Sequence, residues 1–502
     1  MQGLRSDDRS SGVILHPTSL PGRYGVGDLG SAAHRWVDRL ADTETGLWQI
    51  LPVGPTGYGD SPYQCFSAFA GNVNLVSPEL LVANELIDDP GTPAFPDDHV
   101  DYGSVIPWKR RLLAEAHDTF SRGGGDSDLG DAFDRFRTQQ NWLDDYALFM
   151  AIKIDQGGGS WQDWPEALRL RETGALAEVR NRLSGTIERI RFSQFLFFQQ
   201  WDDLHRHAAD RGVRIIGDVP IFVAGDSADV WASPERFRLD AKHRPTVVAG
   251  VPPDYFSETG QLWGNPLYDW DHHAETGYAW WAERLRSTFE IADIARIDHF
   301  RGFADYWEIP ADAETAIDGA WHDGPGVALF DAVRERLGDL PIIAEDLGDL
   351  SDKVPELLER VGFPGMRVLA FAFSSDDTNP FLPHNYPVET IAYTGTHDND
   401  TTLGWWESAP EAEREFAGRY LSVDPADPVA AFLEALWGSR AMFAIAPLQD
   451  LLRLGSPGRM NIPGTTDANW QWRVSASQLE DDRWFDELSD LNQRHGRALP
   501  TS

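Results

Sequence analysis

Residues 291–301 read Ile-Ala-Asp-Ile-Ala-Arg-Ile-Asp-His-Phe-Arg. The apolar run is β-branched, too short for a helix, and halts at a charged cluster, which is how a buried strand opening onto a polar face reads. Seven more such runs occur, at 13–15, 47–53, 214–223, 340–344, 367–373, 389–393 and 441–446. Helix-patterned stretches separate them, so the alternation is βα and the sheet parallel. Eight units spread over 502 residues predict an α/β fold, a (β/α)8 TIM barrel forming one catalytic domain over residues 1–502. Strands buried on both faces should be continuously apolar, as Ile215-Ile216 and Ile342-Ile343-Ala344 are.

The spacing is uneven. Residues 87–191 form a charged, helix-patterned block with glycine stretches, read as an inserted, mainly helical subdomain. Residues 225–270, rich in Pro, Gly and aromatics, are too long for a structureless connector and read as an inserted region covering the active site.

Composition narrows the function. Lys+Arg 43 against Asp+Glu 80 gives a net charge of −37, which disfavours nucleic acid and anionic membrane as partners. The single cysteine, Cys65, cannot form an internal disulfide, and no apolar run approaches the roughly 18 residues of a membrane helix. The expectation is a soluble, cytoplasmic protein of undetermined oligomeric state. Only four basic residues are lysine (Lys109, Lys153, Lys242, Lys353), and an acidic, lysine-poor surface suits molar salt, where repulsion is screened within about 3 Å. The melting temperature should therefore rise between roughly 0.1 and 2 M salt; a flat response would contradict this.

Two motifs mislead. Gly25-Val26-Gly27-Asp28-Leu29-Gly30 matches G-x-G-x-x-G but does not directly follow a strand, so no nucleotide cofactor is expected. Asp398-Asn399-Asp400 starts like a calcium loop yet lacks its later glycine and glutamate, so no metal is expected.

Three acids stand where apolar runs end: Asp298, Glu345 after Ile342-Ile343-Ala344, and Asp398 after Tyr393-Thr394-Gly395-Thr396-His397. Barrel enzymes build their sites at the carboxyl ends of strands, so the three should meet at the barrel mouth. Arg296 and Asp298, two apart on a strand, face the same way, and the cation should hold the carboxylate ionised. Desolvation should raise Glu345 toward the range of a proton donor. An ionised carboxylate beside a protonated one is the apparatus of glycosidic bond chemistry. Twenty tryptophans, including Trp307, Trp405, Trp406, Trp470 and Trp472, offer flat faces for sugar rings.

Arg296-Ile-Asp298-His299-Phe-Arg301-Gly, Ala344-Glu345-Asp346-Leu-Gly and Thr396-His397-Asp398-Asn399 resemble the motifs of the amylomaltases, the 4-α-glucanotransferases of the α-amylase superfamily. Blocks beginning at Leu15, Gly57, Gly217, Pro252, Gln261 and Arg459 resemble that family in the same order, from about Ser10 to Leu479. The resemblance implies a barrel with inserted subdomains and no separate C-terminal β domain. It implies a retaining transfer of α-1,4-glucan segments to the 4-hydroxyl of glucose or glucans, with malto-oligosaccharides, starch or glycogen-type glucans as partners. Asp298 matches the nucleophile, Glu345 the acid/base, and Asp398 the carboxylate holding the sugar at subsite −1. Asp218, Arg296, His299 and His397 match residues around that sugar, and Tyr58 an acceptor-side aromatic. The stretch from Asp254 to Trp263, with Phe256 and Gln261, matches a loop arching over the cleft, and Asn461 belongs to a substrate-binding block. No cofactor or metal is implied. The family pattern departs at Cys65 and at Met366-Arg367-Val-Leu-Ala370. A hydrolase of the same superfamily and a non-catalytic glycan-binding protein are the alternative readings.

Overall fold

The computed structural model describes residues 3–5, 8–253, 257–348, 351–465 and 467–499. Eight parallel strands form one sheet: β1 (Ser10–Ile14), β2 (Leu47–Gln49), β3 (Arg214–Pro220), β4 (Ile294–Asp298), β5 (Ile342–Ala344), β6 (Gly365–Val368), β7 (Thr390–Tyr393) and β8 (Phe443–Pro447). Their order, β6-β7-β8-β1-β2-β3-β4-β5, places each beside its neighbour in the chain. Between β5 and β6 the Ala344 N–H donates to the Pro364 carbonyl at 3.0 Å, so the sheet curls into a nearly closed (β/α)8 barrel. All eight apolar runs become strands, although several strands stop sooner. The run at 367–373, for instance, leaves β6 at Val368 and turns through a 3-10 segment, Leu369–Phe371.

Alternation along the strands sorts their side chains into two cores. Ile14, Leu47, Ile216, Ile294, Ile343, Met366, Val368, Ile391, Tyr393, Phe443 and Ile445 pack together inside the barrel. Their neighbours Val13, Trp48, Ile215, Ala392 and Ala444 point outward onto the helices. The interior is tight at Gly12, where a Cβ would lie 2.8 Å from Leu47 Cβ, so the glycine is a packing requirement. The same parity carries the inward row upward from Ile216 to Asp218, from Ile294 to Arg296 and Asp298, and from Ile343 to Glu345. The polar residues are thus the top layer of a stack whose lower layers are apolar.

At the opposite end, the buried Arg497 donates to the carbonyls of Ser10, Trp437, Ser439, Ala441 and Met442, tying the starts of β1 and β8 to the chain's last helix. Five carbonyls would lose a donor without it.

Two insertions shape the mouth. Between β2 and β3 run helices that include Tyr102–Ser121, Leu129–Gln139, Leu143–Asp155 and Ser184–Asp210; Phe133, Phe192, Phe195 and Trp201 from them share one apolar cluster with the outward strand residues. After β3, Val247–Val251 and Gln261–Pro266 pair antiparallel, and Asp305–Pro310 and Ala320–Asp323, from the connection after β4, extend the same four-stranded sheet. The sequence reading has no counterpart for these last two strands; Asp305-Tyr-Trp-Glu-Ile-Pro310 lacks a strict polar–apolar alternation.

In the Gly25–Gly30 loop a Cβ on Gly27 would sit 1.9 Å from the Pro17 carbonyl oxygen, so close backbone packing accounts for this glycine. Among the described residues no helix is long and apolar enough to cross a membrane.

Candidate active site

Asp298 is the last residue of β4 and Glu345 directly follows β5; these strands are paired, Ile297 against Ala344. Asp218 and Arg296 face each other in the register of β3 and β4. Asp398 stands on the loop after β7. The barrel thus brings the three acids to one rim.

A chain of polar contacts crosses that rim. The fully buried Arg296 guanidinium donates from Nη1 to Asp218 Oδ2 at 2.6 Å and, less closely, to Asp298 Oδ1 at 3.2 Å. Its Nε meets Met366 Sδ at 3.3 Å. Tyr63 donates its hydroxyl proton to Asp218 Oδ2 at 2.8 Å and accepts from His397 Nε2, also at 2.8 Å. The Tyr63 ring stacks on the His397 imidazole at 5.2 Å, with Trp470 tilted beside both. His397 Nε2 lies 3.2 Å from Asp398 Oδ2, and Asn461 Nδ2 donates to Asp398 Oδ1 at 2.6 Å. Arg459 donates to the Asp398 backbone carbonyl at 3.0 Å.

Glu345 is held differently, by backbone. Its Oε2 accepts from the His299 N–H at 2.7 Å and its Oε1 from the Leu347 N–H at 2.9 Å. His299 adopts φ +54°, a left-handed conformation costing on the order of 1 kcal/mol for a residue with a Cβ. That turn, directly after Asp298, links the two acids through one peptide unit. The Trp263 ring meets His299 edge-on at 4.8 Å, bringing the small sheet down onto this corner.

Electrostatics separate the acids. Burial raises Glu345 to about 7, helped by the Asp298 charge and outweighing its two N–H donors and Arg296. Burial raises Asp298 to about 6, with Arg296 opposing. Asp398 goes the other way: burial would raise it, but the His397 charge and the His397 and Asn461 hydrogen bonds hold it at about 2. His397 is raised, its burial outweighed by Asp398, and burial lowers His299 to about 4, leaving it neutral. The Arg296 cation, expected to hold Asp298 ionised, does oppose the rise, but Asp218 takes the closer contact with the guanidinium and burial is the larger influence. Of the two raised acids, Glu345 stands higher.

That order predicts a bell-shaped pH profile of kcat/KM. Activity should rise as Asp298 ionises near pH 6 and fall as Glu345 loses its proton near pH 7, both limbs belonging to the interacting pair. A profile flat from about pH 5 to about pH 9 would contradict the assignment.

Asp218, Arg296, His299, His397 and Asn461 all join this cluster. Trp263 reaches it through His299, while Gln261 stays exposed and accepts a hydrogen bond from Trp263 Nε1 at 3.1 Å. Tyr58 is 78% exposed, on a turn of the loop after β2. Asp254 and Phe256 lie outside the described residues. Tyr63 and Arg459 are central here, yet the sequence reading gave neither a role; Trp470, expected as a face for sugar rings, lies beside Tyr63 and His397. Tyr63 stands in the same block as Tyr58, and only the fold shows which of the two turns inward. Trp405, read as a sugar platform, packs on Phe373 and Phe432 in the helical layer. In the Asp398–Asp400 stretch, Asn399 accepts from Thr396 and Asp400 from Thr401 and Ser456, so both side chains serve the loop. Among the described residues no group of His, Cys, Asp and Glu side chains could hold a metal ion.

A family model described as 4-alpha-glucanotransferase matches residues 15–478. The 4-alpha-glucanotransferase of Thermus thermophilus is 49% identical over 482 residues, covering 94% of this chain and 96% of the relative. That of Streptococcus pneumoniae serotype 4 is 47% identical, covering 94% of each. The solved amylomaltase of Streptococcus agalactiae in complex with acarbose superposes with a TM-score of 0.94 at 41% identity, over 98% of this chain and all of that one.

Proposed function

The chain belongs to the 4-alpha-glucanotransferase family, and we propose the route by which this enzyme transfers α-glucan segments. Asp298 attacks the anomeric carbon of an α-1,4-glucan while Glu345 protonates the departing 4-oxygen, leaving a β-glycosyl ester on Asp298. Glu345, now ionised, then takes the proton of the incoming 4-hydroxyl, which displaces the aspartate and re-forms an α-1,4 bond. Two inversions retain the configuration. Asp398, already charged, grips hydroxyls of the reacting sugar, and Arg296 and Asp218 fix the floor beneath it.

The observation that carries this reading is geometric: Asp298 ends β4, Glu345 follows the paired strand β5, and the His299 N–H directly after Asp298 donates to the Glu345 carboxylate. Acarbose in the related S. agalactiae enzyme supports malto-oligosaccharides as the substrate class, with starch or glycogen-type glucans as longer donors. Water competes at tens of molar, so transfer must win through positioning, where held acceptors reach effective molarities of about 10⁵ M or more. Trp263, edge-on against His299, would help exclude water from the ester.

Maltotriose alone tests the choice of acceptor. Transfer yields glucose and longer chains while total reducing ends stay constant; a steady rise in reducing ends would make the enzyme a hydrolase.

A further inference from the structure

Asp450 is almost completely buried, on the short helix Leu448–Leu451 that follows β8, and the mechanism above does not use it. Its carboxylate faces three donors and, among the described residues, no cation pairs with it. Oδ2 accepts from the Thr394 hydroxyl at 2.6 Å and the Thr402 hydroxyl at 2.8 Å; Oδ1 accepts from the Thr402 N–H at 2.7 Å. Thr394 is the first residue after β7 and Thr402 the first of the helix Thr402–Ser408. Between them lies the loop that presents His397 and Asp398. One side chain therefore holds the two ends of the segment bearing the third acid.

We propose that Asp450 is a positioning residue for transfer, clamping both feet of the 394–402 loop so that Asp398 stands where the reacting sugar needs it. The contact needs a polar side chain that reaches both threonines: the Thr402 N–H requires an acceptor and the two hydroxyls a shared partner, whereas an apolar group would leave all three unpaired. Other braces act within the loop or at its middle: Asn399 holds Thr396, Asp400 holds Thr401 and Ser456, Arg459 donates to the Asp398 carbonyl and Asn461 to its carboxylate. None of these joins Thr394 to Thr402. The proposal rests on the reading of Asp398 as the acid that grips the sugar.

The test is a double-mutant cycle. Asp450→Leu should lower kcat for maltotriose transfer about 100-fold, the loss associated with misplacing a catalytic group by roughly 1 Å, with KM changing far less. Thr394→Val/Thr402→Val removes two hydroxyls, leaves the acid in place, and should reproduce most of that loss, which keeps the test open if Asp450→Leu fails to fold. In an Asp398→Asn background the Asp450 change should subtract less than about threefold, because the two act as one unit. Wild-type kcat in folded Asp450→Leu or in the threonine pair would overturn the clamp. An equal 100-fold loss in the Asp398→Asn background would overturn it too, by showing a merely structural role. Full transfer by Asp398→Asn alone would instead remove the reading of Asp398, and this proposal with it.

Discussion

Replacing Asp298 by Asn is expected to lower glucan transfer by about 10⁴-fold or more, some 5.4 kcal/mol of transition-state stabilisation, while glucan binding is retained. The carboxylate forms the bond to the anomeric carbon, and an amide is a far poorer nucleophile. The surroundings should tolerate the change. Arg296 keeps its closer partner, Asp218 at 2.6 Å, and the Tyr63–His397–Asp398 chain does not pass through residue 298. A second consequence is independent of turnover. The Asp298 charge helps keep Glu345 protonated, so Glu345 should titrate below its wild-type value of about 7 in this variant. Measuring kcat, ligand affinity and the Glu345 titration together separates loss of the nucleophile from loss of fold.

Glu345→Gln should lower transfer from natural glucans about 10³-fold, because the departing 4-oxygen then leaves without a proton. The loss should depend on the leaving group. A maltosyl fluoride donor releases fluoride, which needs no acid, so the first step should be largely spared and the ester on Asp298 should accumulate. An anion that needs no general base, such as azide, should then capture the sugar as an α-glycosyl azide. Part of the damage is local: the Gln amide meets the His299 and Leu347 N–H groups, which both need acceptors. Equal losses with glucan and fluoride donors would mean that residue 345 does not supply the proton.

The barrel was legible because strands buried on both faces leave unbroken apolar runs, and all eight lay where such runs stood. The acids were legible for the same reason. Arg296, Asp298 and Glu345 continue the inward parity of Ile294 and Ile343, so strand geometry alone sends them to the mouth. What sequence hid was partnership across the rim. Arg296 and Asp298, two residues apart, do pair, yet the closer contact of the guanidinium runs across strands to Asp218. Tyr63 joins Asp218 to His397 only once the loop after β2 folds over the barrel, and nothing in its block distinguished it from the exposed Tyr58. The Asp305–Pro310 and Ala320–Asp323 strands escaped notice because they pair with each other across the connection at 311–319 and join the sheet only through Val247–Val251, which comes from a distant part of the chain.

A covalent bond between sugar and Asp298 is the centre of the mechanism, and that bond can be weighed. Treating the wild-type enzyme with a fluorinated maltosyl fluoride whose ester turns over slowly, then digesting it for mass spectrometry, should place one added sugar on the peptide holding residue 298, at the Asp298 side chain. A label on Glu345 or Asp398, or an unlabelled enzyme that releases products of inverted configuration, would contradict it.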